Sequence, residues 1–173
     1  MLLFLDTEFT TLDRQKMKLL SVGLVAEDGR SEFYAELSEG ETWARSDCSE
    51  FVIDHVLPLL EGGAARRTEA QLKETLNAWI SNKGQPCVVA CDSGLDHLLL
   101  KRLLDDSWPD NLAPGFHDLG GLLDSRVFEH GAQSYFSNAG VPRHHALHDA
   151  RANRKGWLAA GAAIKTHIER STS

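Results

Sequence analysis

Residues 1–9, MLLFLDTEF, decide how the fold is read: five apolar side chains come first, then two acids, Asp6 and Glu8, one residue apart. A segment apolar at both alternations suits a strand covered on both faces, so it reads as the central strand of a sheet. Residues two apart on a strand share a face, and Asp6 and Glu8 therefore project together. Neighbouring carboxylates raise each other's pKa unless positive charge lies between them, and a hard divalent cation is the common solution. Spacing alone is weak, since 13 Asp and 12 Glu in 173 residues produce about one Asp-x-Glu by chance. Placement adds weight, because an acid pair ending a strand buried on both faces is costly without a partner. No basic leader or cleavage site accompanies the apolar start, so it reads as a strand and not as a signal peptide.

Working outward, residues 18–27 (KLLSVGLVAE) read as a second strand ending at the turn Asp28-Gly29. Residues 30–37 (RSEFYAEL) alternate as the outer strand of the same hairpin. Residues 50–60 form a helix halted near Pro58. A second helix spans 68–82, with Thr68 as N-cap, Gln71 three residues on, and Leu72, Leu76, Trp79 and Ile80 on one face. Residues 85–91 are a buried strand, and after Gly94 a helix runs from Leu95 to about Asp106. Phe116 to Leu119 make a short fifth strand. The stretch 122–140 is less regular, with one or two short helices, and a long helix runs from Ala146 to about Glu169. A hairpin followed by strand–helix alternation predicts an α/β fold: a mixed five-stranded sheet, antiparallel hairpin plus parallel strands, flanked by helices.

Composition narrows the class. With 42% hydrophobic and 25% charged residues and no repeat or linker, residues 1–173 read as a single globular domain. No apolar run reaches about 18 residues, so no membrane span is expected. Cys48, Cys87 and Cys91 are too few for a disulfide framework and fit buried thiols in a reducing cytoplasm. Neither a G-x-G-x-x-G after the first strand nor a P-loop is present, which sets aside dinucleotide binding and that route of triphosphate hydrolysis. The net charge of −7 argues against a nucleic-acid partner. That argument weakens if four carboxylates hold two divalent ions, which would bring the charge to −3.

Two further segments carry chemistry. In residues 91–97 (CDSGLDH) a strand passes into a helix, which places Asp92 and Asp96 at the sheet's C-terminal edge. Ordinary N-capping by Asp92 or Ser93 is the bland alternative, and it fits Asp92 better than Asp96. Residues 144–149 (HHALHD) lead into the last helix, leaving His144 in the loop and Asp149 in the first turns, where both can reach one cavity.

In order, Asp6-x-Glu8, Asp96 and His144-x4-Asp149 resemble the three motifs of the DEDDh (DnaQ-like) 3′–5′ exonucleases, which have an RNase H-like fold. VAEDGRSEFYAEL and HVLPLL further resemble the small stand-alone bacterial 3′–5′ exoribonucleases of that superfamily. The second motif departs from the common Asn-Ala-x-Phe-Asp, with Asp92 where an Asn would stand.

The resemblance implies a phosphodiester hydrolase with two Mg²⁺ (or Mn²⁺) ions clamping the scissile phosphate. Asp6, Glu8, Asp96 and Asp149 would be the ligands, Asp6 the bridge, and His144 the general base. Thr7, Phe9, Thr10 and Leu12 would bind the terminal nucleotide, with Phe9 either stacked on a base or part of the core. Arg14, Lys16 and Lys18, like Arg151, Arg154 and Lys155, either follow a phosphate backbone or form solvated surface. The implied substrate is the 3′ end of single-stranded RNA and the implied assembly a homodimer. A DNA-directed proofreading or repair exonuclease, a catalytically silent nucleic-acid-binding module and a metal-dependent phosphatase are the competing readings. The RNA preference rests on resemblance alone, because no residue visibly reads a 2′-hydroxyl.

Overall fold

In a computed structural model that describes residues 1–123 and 125–171, the chain folds as α/β with a mixed sheet flanked by helices. Among the described residues the sheet has six strands in the order β4-β3-β2-β1-β5-β6. They are β1 (Leu2–Phe9), β2 (Leu19–Ala26), β3 (Glu32–Leu37), β4 (Arg66–Arg67), β5 (Cys87–Cys91) and β6 (Leu112–Asp118). β1 lies between β2, which it pairs antiparallel, and β5, which it pairs parallel.

The sequence reading of five strands is corrected on two counts. β4 is a two-residue ribbon, parallel to β3, too short to leave a periodic signal. β6 starts four residues before Phe116, the expected start. Its first half, Leu112-Ala113-Pro114-Gly115, looks like a turn in sequence, but an edge strand tolerates a proline whose missing N–H faces outward.

The helices are α1 (Glu50–His55), α2 (Glu69–Ser81), α3 (Gly94–Leu104), α4 (Gly120–Leu123), α5 (Arg126–Ala139) and α6 (Ala146–Ser171). α1 ends earlier than expected and gives way to a 3-10 turn at Leu57–Leu59, because Pro58 cannot donate a helical hydrogen bond. α2 opens on the expected capping box: the Gln71 backbone N–H donates to Thr68 Oγ1 (3.2 Å), and the Thr68 N–H donates to Gln71 Oε1 (3.0 Å). The supposedly irregular stretch before Gly140 holds the 14-residue α5, which ends where Gly140 takes a left-handed conformation (φ 64°).

The sheet is covered on both faces, and β1 feeds both. Leu3 and Leu5 belong to a core with Leu72, Leu76 and Ile80 of α2 and Leu99, Leu100 and Leu103 of α3. Phe4 belongs to the opposite core with Ala90, Phe128 of α5 and Ala160 of α6. Alternation continues past the apolar run, so Asp6 and Glu8 lie on the α5/α6 side and Thr7 on the α3 side. Two close approaches fix α6 there. A Cβ on Gly23 of β2 would lie 2.4 Å from the backbone of Ala146 and Leu147, and one on Gly156 would lie 2.9 Å from the Phe128 ring. Leu158 of α6 is exposed.

Candidate metal centre

β1 pairs with β5 only through Leu2–Phe4, so its last five residues run on without a parallel neighbour. This opens a crevice at the C-terminal ends of two parallel strands, where α/β sheets place their ligands. A register shift between Glu8 and Phe9 interrupts the pairing with β2 at the strand's end, and Asp6, Thr7, Glu8 and Phe9 all line one cavity.

Five carboxylates converge in this crevice. Ligand oxygens of Asp6, Glu8 and Asp149 lie within 4.8 Å of one another, and so do those of Asp6, Asp92 and Asp96. Asp6 therefore belongs to both triads. The structure brings together all four acids singled out from the sequence and adds Asp92. Ser93 caps α3, accepting from the Leu95 N–H (3.1 Å), which leaves Asp92 free of that task. The signal for Asp92 was present in the sequence as a second acid at the end of β5, but capping was an equally good account of it.

Backbone and short side chains hold the acids in place. Thr7 donates twice to Asp96 Oδ1, from its hydroxyl (2.6 Å) and its N–H (3.1 Å). Asp96 is 3% exposed and arrives from the α3 side, so this bond carries it around the end of the sheet. The His145 N–H donates to Asp149 Oδ2 (2.9 Å). Asn153, buried one turn further along α6, hydrogen-bonds Asp92 through its side chain.

The electrostatics are those of a site short of positive charge. Burial, then the neighbouring Asp96, Asp149, Glu8 and Asp92, hold Asp6 well above the carboxylate range. Burial and the charges of Asp149 and Asp96 push Glu8 up to about 8. Burial raises Asp96 to about 7 against the opposing Thr7 bonds, and Asp149 to about 6 against N–H donors from His145 and His144. Hard oxygen donors in two triads that share one member can accommodate two divalent cations of the Mg²⁺ or Mn²⁺ type, and such ions would remove the repulsion.

Beside the acids lies a cavity of about 400 Å³, lined by Phe9, Leu12, Phe51, Val52 and Val56 and by Thr7, Thr11, Ser49 and Ser93. Leu12 (77% exposed) and Phe51 (52%) stand largely free at its rim. Phe51 was not singled out from the sequence; its position in a short helix gave no sign that it faced outward. Thr10, expected at the substrate, is fully buried and absent from the lining. Its N–H donates to the Lys18 carbonyl and its hydroxyl accepts from the Lys18 N–H, closing the loop after β1, while Thr11 takes the place beside the cavity.

His144 also lines this cavity, in a left-handed conformation (φ 68°), with its ring edge-on to Phe51 at 5.0 Å. Burial, His55 and Arg143 lower its pKa, which favours the neutral, proton-accepting form. His145 and His148 have other duties. The His145 ring stacks on Tyr34 at 4.4 Å, and His148 Nδ1 shares a hydrogen bond with the Tyr135 hydroxyl (2.9 Å).

Four of the six residues of the basic runs have local partners. Lys18 pairs with Asp47 (2.8 Å), Lys16 with Asp13 (3.7 Å) and Arg151 with Glu32 (2.5 Å), and Arg154 donates to the Glu27 carbonyl. All three cysteines are free thiols, Cys87 and Cys91 buried and Cys48 partly so. No described helix is long and apolar enough to cross a membrane. No family model matches the chain, and no curated protein matches it.

Proposed function

We propose that the chain is a DEDDh-type 3′–5′ exonuclease of RNase H-like fold that removes nucleotides from the 3′ ends of single-stranded RNA. The observation that carries this reading is the double membership of Asp6: one carboxylate shared by two triads, beside a nucleoside-sized cavity that a histidine also lines. A single-ion site or a structural ion pair needs no such sharing. The donor set fits the ions the reading requires, being all oxygen, short of positive charge, and anchored by the Thr7 and His145 bonds before any cation arrives.

Asp6, Glu8 and Asp149 would hold one ion, and Asp6, Asp96 and Asp92 the other. Bound there, the ions would supply charge stabilisation at the phosphoryl oxygens and lower the pKa of water. The residues of this chain do the rest. The apolar cavity would take the terminal nucleoside, its base against Phe9, Phe51 or Leu12, a contact worth about 1–3 kcal/mol per base where it stacks. His144 would accept the proton of the attacking water as the new P–O bond forms. The bond from phosphorus to the 3′-oxygen of the shortened strand breaks, that oxygen takes a proton from solvent, and a nucleoside 5′-monophosphate leaves.

The test is a gel time course with 5′-labelled single-stranded RNA and the matching DNA in Mn²⁺ and in Mg²⁺, with Asp149→Ala as control. A ladder shortening from the 3′ end, faster on RNA and absent in the variant, supports the proposal. A faster DNA ladder would assign the DNA-directed reading, and no shortening of either strand would defeat the enzyme reading.

A further inference from the structure

A second cavity, of about 270 Å³, opens on the other side of the carboxylates between α5 and α6, lined by Phe128, Ala132, Phe136 and Asn153 among others. It shares four residues with the larger one: Asp6, Asp92, Asp149 and Arg143. Three are acids. Among the described residues Arg143 is the one Lys or Arg on the lining of either cavity.

Arg143 is not ion-paired: among the described residues no carboxylate oxygen lies within 4.0 Å of it, although its charge reaches Asp149 and lowers that carboxyl's pKa. It is nevertheless held. Its guanidinium lies 4.7 Å over the Phe136 ring, and one NH₂ group donates to Gln133 Oε1 (2.7 Å). One face and one donor are thus committed to neutral partners on α5, and the remaining N–H groups have no ion-paired acid among the described residues where the two cavities meet. A planar fork of this kind matches two oxygens of a phosphate, and fixing it in advance lowers the entropy lost on binding.

Resting on the exonuclease reading, we infer that Arg143 is a phosphate-binding catalytic residue: its guanidinium contacts a non-bridging oxygen of the phosphate seated at the carboxylates. A strand running through both cavities has to pass a phosphate across the residues they share, and Arg143 is the cation there, near Asp149 but ion-paired to no acid among the described residues. Charge builds on the phosphoryl oxygens as the bond to the leaving oxygen breaks, so the contact strengthens in the transition state and acts on kcat more than on KM.

The experiment compares wild type, Arg143→Ala and Arg143→Lys on the 5′-labelled RNA in Mn²⁺, with melting temperature and its Mn²⁺-induced shift measured on each protein. Arg143→Ala is expected to lose roughly 100-fold in kcat with KM changed less than about 3-fold. Its melting temperature and Mn²⁺ shift should stay near wild type, added guanidinium should restore part of the rate, and Arg143→Lys should fall between. A binding readout independent of turnover uses the Asp149→Asn background with Mn²⁺. Removing Arg143 there should lower the slope of log affinity against log salt by about 0.7, the single-strand value for one phosphate contact. An unchanged kcat and salt slope in an active wild-type background overturns the Arg143 assignment and leaves the exonuclease reading standing. So does a kcat loss matched by loss of folding or of the Mn²⁺ shift. If wild type shortens neither strand, the exonuclease reading falls and the assignment falls with it.

Discussion

Replacing Asp6 with Asn should make the metal-free protein more stable at pH 8, and at the same time abolish most of its response to Mn²⁺. Asp6 is the member common to both carboxylate triads, with partner oxygens within 4.8 Å. Two unit charges at that distance and an effective dielectric near 20 repel by about 3.5 kcal/mol. The cluster relieves part of this by holding protons, as the raised Glu8, Asp96 and Asp149 values indicate. Removing the Asp6 charge should therefore recover about 2–3 kcal/mol, or about 4–12 °C in Tm for a chain of this size.

The pH dependence has a definite sign. Folded-state pKa values near 6 to 8, against ordinary values near 4, mean that the folded protein binds more protons than the unfolded chain between about pH 4 and pH 8. Stability from this cluster falls as pH rises through that window, so the advantage of the Asn variant should be largest at pH 8 and small near pH 5. His144, His145 and His148, whose burial lowers their pKa, act in the opposite direction. The difference between wild type and variant cancels that common contribution. The assay is thermal unfolding of both proteins in EDTA and in Mn²⁺ from pH 5 to pH 8. An Asn variant that melts at or below wild type in EDTA at pH 8, or that gains as much from Mn²⁺ as wild type does, would refute the reasoning.

Three other changes probe separate parts of the site. His144→Ala should lower turnover on single-stranded RNA by about 100-fold or more while the Mn²⁺-induced rise in Tm persists; loss of that rise would speak against a role confined to proton transfer. Thr7→Val removes the 2.6 Å bond to Asp96, so Mn²⁺ titration at pH 7 should show roughly tenfold weaker binding. The deficit should narrow at pH 9, where Asp96 is ionised with or without the threonine. Gly23→Ala drives a methyl into the backbone of Ala146 and Leu147, and urea denaturation should report a loss of about 2–3 kcal/mol; unchanged stability would mean that the start of α6 can move freely.

What the sequence disclosed about this molecule follows from which signals are local. The alternation in residues 1–9, the capping box at Thr68 and Gln71, and the turn at Asp28-Gly29 each need only a few consecutive residues, and each took the form expected of it. β4 and the start of β6 were hidden because their pairing partners, β3 and β5, lie far away in the chain, and a two-residue ribbon or a strand containing proline has no period of its own. Thr10 and Thr11 show the same limit on a smaller scale. Adjacent, and identical in chemistry, they divide between loop closure and the cavity according to a register shift at Glu8/Phe9 that no local pattern announces. Phe51 and Arg143 owe their positions to α1 and to the strained loop before α6, whose geometry depends on packing against β1 and α5.

Asp92 is the sharpest case, because its sequence context offered it a complete and ordinary occupation. A strand that ends in Asp-Ser-Gly before a helix normally spends one of those side chains on the cap. Here Ser93 takes the cap, and the aspartate is left at the end of β5, facing Asp6 and Asp96. An asparagine at that position would relieve the crevice of a charge and could still bond Asn153. Burial raises the pKa of the aspartate itself, and its charge adds to the repulsion that raises Asp6, Asp96 and Asp149. A buried cluster that carries a fifth acid instead of a neutral amide is still shorter of positive charge, which is what the proposed cation site calls for. Arg143, the Lys or Arg that lines both cavities among the described residues, stacks on Phe136 and bonds Gln133, and its charge reaches Asp149 without an ion pair.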